Sequence, residues 1–247
     1  MKNCRFPIAV CTFVLALSLN MEAQSTSRVS FNEGWTFTKG SQSEVVDLPH
    51  DWGVDGPFDI SNPGETGKLE WWGKAEYRKT IKVDERSKEY FLDIDGAMSW
   101  AKVYCNGQFV TEWPYGYASF RANLTPFLKE GDNEIKITLD NPEESSRWYP
   151  GGGLYRNVWL TKAAPLGVAH WGTFMTTEGD KARLEVKLRN SGAPVEGVVR
   201  TEIYEYSGST IIASAETKVA SIDSSSVVVQ EFDMAGAKRW SPGHPNL

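Results

Sequence analysis

Arg147 and Trp148 stand immediately before Tyr149-Pro150-Gly151-Gly152-Gly153. A guanidinium fork can hold two hydroxyls or a carboxylate, and an indole can lie flat on the C–H face of a sugar ring. Together they offer the chemistry of carbohydrate recognition. Three consecutive glycines mark a tight, non-repetitive bend where another stretch of backbone can approach closely. The β-formers Leu154, Tyr155, Val158, Trp159 and Leu160 follow at once, so a polar, aromatic loop is fixed at its end by a strand. The plainer alternative is a glycine-rich corner whose Trp and Tyr pack inside.

Two further polar candidates lie upstream. Asp51 sits in Leu48-Pro49-His50-Asp51-Trp52, and Asn62 precedes Pro63-Gly64. Either could hydrogen-bond a sugar hydroxyl; equally, Asp51 could cap or close a loop and Asn62 could form an Asx-turn. His50 reads as a structural histidine, because no metal-ligand spacing accompanies it. Glu143 and Glu144 read as solvated charge rather than an acid/base pair. Asn123-Leu124-Thr125 reads as the turn before Pro126 rather than as a glycosylation acceptor. No catalytic residue, metal site or cofactor is assigned.

The elements that must position these residues are strands. Alternation of apolar and polar residues marks 28–37, 77–83, 90–95, 100–105, 108–113, 133–140 and 158–161. Asn106-Gly107 is the strongest hairpin signal in the chain. Residues 41–76 show little alternation and read as one long, tryptophan-bearing loop of functional kind. After Pro165 further strands are marked at 183–188, 197–206 and 225–232, with a hairpin turn at Asn190-Ser-Gly-Ala-Pro194. Many short strands and no long helical period predict an all-β fold of two sandwiches, residues 24–163 and 164–247.

The 247 residues are 40% hydrophobic and 23% charged, as in an ordinary soluble globular protein. The net charge of −6 argues against nucleic acid or anionic membrane as a partner. Residues 1–23 read as a secretory signal peptide: Lys2 and Arg5 open it, Pro7 to Leu19 is apolar, and Ala23 is small. The stretch is too short to span a membrane. Cys11 lacks the small residues of a lipoprotein cleavage site before it, so the expectation is a soluble exported protein, periplasmic or extracellular, starting at Gln24. Cys4 and Cys11 leave with the leader, and Cys105 remains beside its hairpin turn as a small structural residue.

Several stretches resemble glycoside hydrolase family 2, the β-galactosidase and β-glucuronidase group. They are Leu48–Trp52, Tyr77–Lys79, Val103–Gly107, Gly116–Phe120, Arg147–Leu160 and Arg239–Leu247, in the family's order. The pairing of Arg-Trp-Tyr-Pro-Gly with Leu-Pro-His-Asp-Trp is most similar to bacterial β-galactosidase-like members. The resemblance implies a jelly-roll-like (galactose-binding-like) sandwich followed by an immunoglobulin-like one. It places the 41–76 region and the residues just before Trp148 near the substrate, where some members carry an Asp and this chain has Ser145-Ser146-Arg147. In the family both catalytic carboxylates lie on a (β/α)₈ barrel, and no βαβ pattern occurs in these residues. An immunoglobulin-like domain needs about seven strands over roughly 100 residues, so the expectation is a chain that ends inside its second domain. By this resemblance the chain is the amino-terminal part of an exported β-galactosidase-like enzyme, inactive without its barrel and acting on a terminal β-linked sugar. Two alternatives are a stand-alone carbohydrate-binding module and a purely structural or adhesive sandwich pair.

Overall fold

Strands β4 (Gly73–Val83) and β9 (Gly131–Asn141) form the spine of the first sandwich. They pair antiparallel over eleven positions, from Gly73 opposite Asn141 to Val83 opposite Gly131. Their alternation puts Ala75, Tyr77, Ile81 and Val83 on the same inner face as Ile135, Ile137 and Leu139, all buried. Lys74, Glu76, Thr80 and Lys82 of β4 and Glu134, Lys136 and Thr138 of β9 point outward, while Lys79 lies on the inner-face side and bonds Phe31 O and Glu33 O at the sandwich edge. In this computed structural model, which describes residues 26–62, 67–206, 208–244 and 246, the spine sits within a six-stranded sheet. The expected leader, residues 1–23, lies outside the described residues.

Numbered along the chain, the other strands of that sheet are β2 (Trp35–Lys39), β3 (Gln42–Val46), β6 (Ala101–Cys105) and β7 (Gln108–Trp113). Their order is β3-β2-β4-β9-β6-β7. A four-stranded sheet, β1-β10-β5-β8, packs against it. It comprises β1 (Ser27–Ser30), β5 (Glu89–Ile94), β8 (Phe120–Asn123) and β10 (Val158–Ala163). Trp35, Phe37, Tyr77, Leu92, Ile94 and Leu154 are among the side chains that close the space between the sheets. The second sandwich follows directly. One sheet is β11 (Leu166–Glu178), β12 (Lys181–Asn190) and β15 (Ser225–Asp233); the other is β13 (Val195–Tyr204) with β14 (Ile211–Ile222). Leu184, Val186, Leu188, Val228 and Phe232 lie between them.

The all-β sandwich architecture is as the sequence implies, with local corrections. Residues 28–37 are not one strand. The chain leaves β1, turns through Gly34 at φ +67°, and enters β2 in the opposite sheet. The 41–76 stretch is not all loop: it holds β3, the one-turn helix α1 (Trp52–Asp55) and the start of β4. Strand β3 is a polar edge strand with one face and most of the other exposed, so it has no apolar alternation to reveal it. Asn190–Pro194 is not a hairpin turn, because β12 and β13 belong to different sheets. The Asn190 side chain directs that crossover: it accepts from Gly192 N (2.9 Å) and donates to the carbonyls of Ala193 and Ile222 (both 2.8 Å).

Asn106-Gly107 turns β6 into β7 with both residues at positive φ, 50° and 78°, the primed geometry that suits a right-twisted hairpin. Asn123 accepts from Thr125 N (3.1 Å) and opens the 3₁₀ turn Thr125–Phe127. Cys105 is fully buried, and burial pushes its thiol up to about 11. The reactive species is the thiolate, so Cys105 should resist alkylation by iodoacetamide at about pH 8 in the folded chain and react once guanidinium chloride unfolds it. Peptide mass spectrometry of both samples reads this out; native labelling of Cys105 would contradict the buried placement.

Candidate functional site

One end of the first sandwich gathers the loops 47–62, 96–100, 113–119 and 141–157. The glycine run is its keel. His50 N donates to Leu154 O (2.9 Å) and Trp52 N to Gly152 O (3.0 Å), while Gly153 exchanges two backbone bonds with Met98 (2.9 and 3.1 Å). The run therefore lies between two other stretches of chain, and side chains are excluded there. A Cβ on Gly153 would stand 2.6 Å from both His50 O and the Tyr77 hydroxyl, and one on Gly152 would stand 2.7 Å from Trp71 O.

Polar side chains tie the remaining strands of the knot. Asn141, buried at the end of β9, donates to Trp71 O (2.9 Å) and Gly151 O (3.0 Å) and accepts from Ser99 Oγ (3.0 Å). His50 Nδ1 lies 2.7 Å from the Tyr77 hydroxyl, among Phe37 and Tyr77 rings. Asp51 caps α1: its Oδ1 accepts from Gly53 N (3.0 Å). The same oxygen accepts from Gly152 N (3.0 Å) and from the Tyr149 hydroxyl (2.6 Å). Asp51 thus joins the Leu48–Trp52 segment to the loop that carries Arg147 and Trp148.

On this frame stands an aromatic shelf. Trp148 is 61% exposed, and its Nε1 donates to the Tyr117 hydroxyl (2.9 Å). Tyr115 meets Tyr117 edge-on at 5.7 Å, and both rings are exposed. The Tyr155 hydroxyl holds the 113–119 loop by donating to Gly116 O (2.9 Å). Burial pushes that phenol above its ordinary value, so it stays a neutral donor. Arg147 is exposed beside Trp148, whose own N–H bonds Ser146 Oγ (3.2 Å). A solvent-facing indole whose N–H is already fixed, flanked by two phenols and a guanidinium, can stack on a sugar face and hydrogen-bond its rim.

Of the four candidates from the sequence, the structure brings Asp51, Arg147 and Trp148 into one loop assembly. Asn62 sits in its own turn: its N–H bonds Asp59 O (3.1 Å), its amide bonds Lys68 O (3.2 Å), and its carbonyl accepts from Lys68 Nζ (2.5 Å). Tyr115 and Tyr117 were missed. Trp113-Pro-Tyr-Gly-Tyr117 is the signal that could have found them, three aromatics in five residues around a turn. Among the described residues no group of three or more His, Cys, Asp or Glu is placed to hold a metal ion.

Residues 35–149 match the family model described as glycosyl hydrolase 2 galactose-binding domain-like, and residues 170–247 match that of glycosyl hydrolases family 2. The chain belongs to glycoside hydrolase family 2. It is 33% identical over 243 residues to the β-galactosidase BoGH2A of Bacteroides ovatus, covering 89% of this chain and 29% of that protein. It is 28% identical over 267 residues to a putative β-glucuronidase of Formosa agariphila, covering 100% of this chain and 25% of the relative. Among solved structures, a family 2 member from Bacteroides cellulosilyticus superposes with a TM-score of 0.76 at 28% identity, over 89% of this chain and 33% of that one. The chain thus spans between a quarter and a third of the length of these family 2 relatives.

Proposed function

We propose that this chain is the amino-terminal part of an exported β-galactosidase-like glycosidase, and that the shelf at Trp148 shapes the mouth through which a terminal β-linked sugar enters. The observation that carries the reading is the exposed Trp148, fixed by Tyr117 and set on a loop knot that Asp51, Asn141 and the glycine run make rigid. Hydrolysis with retention needs two carboxylates about 5–5.5 Å apart. In this reading they belong to a barrel domain beyond these residues, and the present chain binds and orients without cleaving. The apolar stretch near the amino terminus, opened by Lys2 and Arg5, supports export to the periplasm or outside.

Reading the coding DNA past the codon for Leu247 is the direct test. The frame should continue with a barrel pattern bearing the two carboxylates. In the enzyme so encoded, Trp148→Ala should raise KM for an aryl β-galactoside about tenfold while changing kcat less, because a stacking contact made equally in ground and transition states is uniform binding. A stop codon after Leu247 would overturn the hydrolase reading and leave a stand-alone carbohydrate-binding module. An unchanged KM in Trp148→Ala would remove the shelf from the substrate mouth.

A further inference from the structure

The outer face of the six-stranded sheet carries a groove of about 530 Å³, whose lining does not include Arg147 or Trp148. That volume lies within the ~300–1,000 Å³ typical of small-ligand sites. Its floor follows from strand register. Thr38, Glu76, Thr138 and Lys102 are successive partners across β2, β4, β9 and β6, so their side chains form one row on one face. Asp140 and Lys74 pair one step along (Nζ–Oδ2 3.3 Å). Tyr104 of β6 lines the side.

Trp100 forms the end wall, and its backbone is unusual. It is 53% exposed and sits at φ +49°, a conformation that costs a bulky residue about 1–3 kcal/mol. Hydrogen bonds hold it there. Trp100 N donates to Pro114 O (3.2 Å); the preceding Ser99 accepts from Asp140 N (3.0 Å) and donates through Oγ to Asp140 O (3.2 Å). A strained backbone maintained to keep an indole in water is a feature of binding sites rather than of cores.

The lining chooses the ligand class. Two carboxylates and two ammonium groups, Glu76, Asp140, Lys74 and Lys102, cancel in charge, and the hydroxyls of Thr38 and Thr138 stand on either side of Glu76. Such a surface has no preference for an anion such as nucleic acid or phosphate, and it is too polar for an aliphatic chain. It offers alternating donors and acceptors over a floor and rings at the sides. A neutral polyhydroxyl ligand satisfies both. We propose that this groove is a second carbohydrate-binding site, taking an oligosaccharide segment of a polysaccharide with Trp100 stacked on a sugar face. The inference is independent of the hydrolase reading, since it requires neither a barrel nor the Trp148 shelf.

Native affinity electrophoresis of the full chain tests it, in gels containing soluble β-1,4-galactan or hydroxyethyl cellulose. The wild type should be retarded in at least one gel. Trp100→Ala should weaken that affinity about tenfold, the equivalent of about 1.4 kcal/mol, and Lys181→Ala, at an exposed position of the second sandwich, should leave it unchanged. Lys102→Ala, at an exposed position where misfolding is not at issue, should weaken it measurably. Retardation in neither gel overturns the proposal. So does wild-type retardation in Lys102→Ala, or a loss in Trp148→Ala that Trp100→Ala does not share.

Discussion

Gly153→Ala should destabilise the first sandwich by about 3 kcal/mol or more, among the largest effects available to a single methyl group. The residue lies at φ +124°, a region closed to L side chains, so the backbone itself resists the change. The added Cβ would stand 2.6 Å from a backbone oxygen, His50 O, and 2.6 Å from the Tyr77 hydroxyl. Neither can move easily. His50 N is bonded to Leu154 O, and the Tyr77 hydroxyl lies 2.7 Å from the His50 ring in the buried core. Gly153 cannot retreat either, because its own N–H and C=O are both bonded to Met98. The methyl group must therefore break one seam of the loop knot, and the Trp148 shelf should lose its fixed geometry with it. Urea denaturation followed by tryptophan fluorescence measures the effect, with Gly236→Ala as control. Gly236 faces open space, so that change should fall within about 0.5 kcal/mol of wild type. A Gly153→Ala protein within about 1 kcal/mol of wild type would show that the seam yields, and that the glycine run is a tolerant bend rather than a packed keel.

How much of this was legible in the sequence depends on whether the signal is local. The Asn106-Gly107 hairpin could be read because its two residues alone specify the turn. Strands β4 and β9 could be read because a one-sided core imposes alternation on them. Strand β11 could not. Its register shifts between Val168 and Thr173, Trp171 lies there at φ +51°, and the bulge breaks the period that would have marked it. Strand β14 is rich in Ala and Ser and has little alternation to show. The candidate site divides the same way. Arg147 and Trp148 announce themselves beside a glycine run. The role of Asp51 does not, because its partners Tyr149 and Gly152 are 98 and 101 residues away. A carboxylate in a loop looks the same on paper whether it will hold a ligand or its own scaffold. The Tyr117–Trp148 bond spans 31 residues and becomes visible only once the loops share one end of the sandwich.

Removing the carboxylate of Asp93 should be comparably severe. Asp93 lies in the middle of the four-stranded sheet and is 5% exposed. Arg121, its partner on β8, grips it through two bonds of 2.5 and 2.8 Å, and Thr161 on β10 adds a third of 2.7 Å. The Arg121 guanidinium also lies over the Phe91 ring at 4.8 Å, and Arg189 from the second sandwich approaches the same ring at 5.3 Å. Arg189 in turn ion-pairs with Glu89 and bonds the carbonyls of Ala164 and Pro165, so Asp93 sits beneath the junction of the two sandwiches. Asp93→Ala strands a partly buried guanidinium and should cost about 3–5 kcal/mol. The pH dependence separates loss of charge from loss of packing. Burial pushes the Asp93 carboxyl up, but the hydrogen bonds from Arg121 and Thr161, with the Arg121 charge, outweigh it and hold the group below its ordinary value. A carboxyl whose folded pKa is depressed stabilises the fold above its unfolded pKa of about 3.9, and that contribution fades as pH falls through the folded pKa. The stability gap between wild type and Asp93→Asn should therefore be widest at neutral pH and narrow below about pH 4. Urea titrations of both proteins from neutral to acid pH will show it. A gap of constant size would mean that the Asp93→Asn side chain fails by shape alone, and that the charge of the Asp93–Arg121 pair adds nothing where the two sandwiches meet.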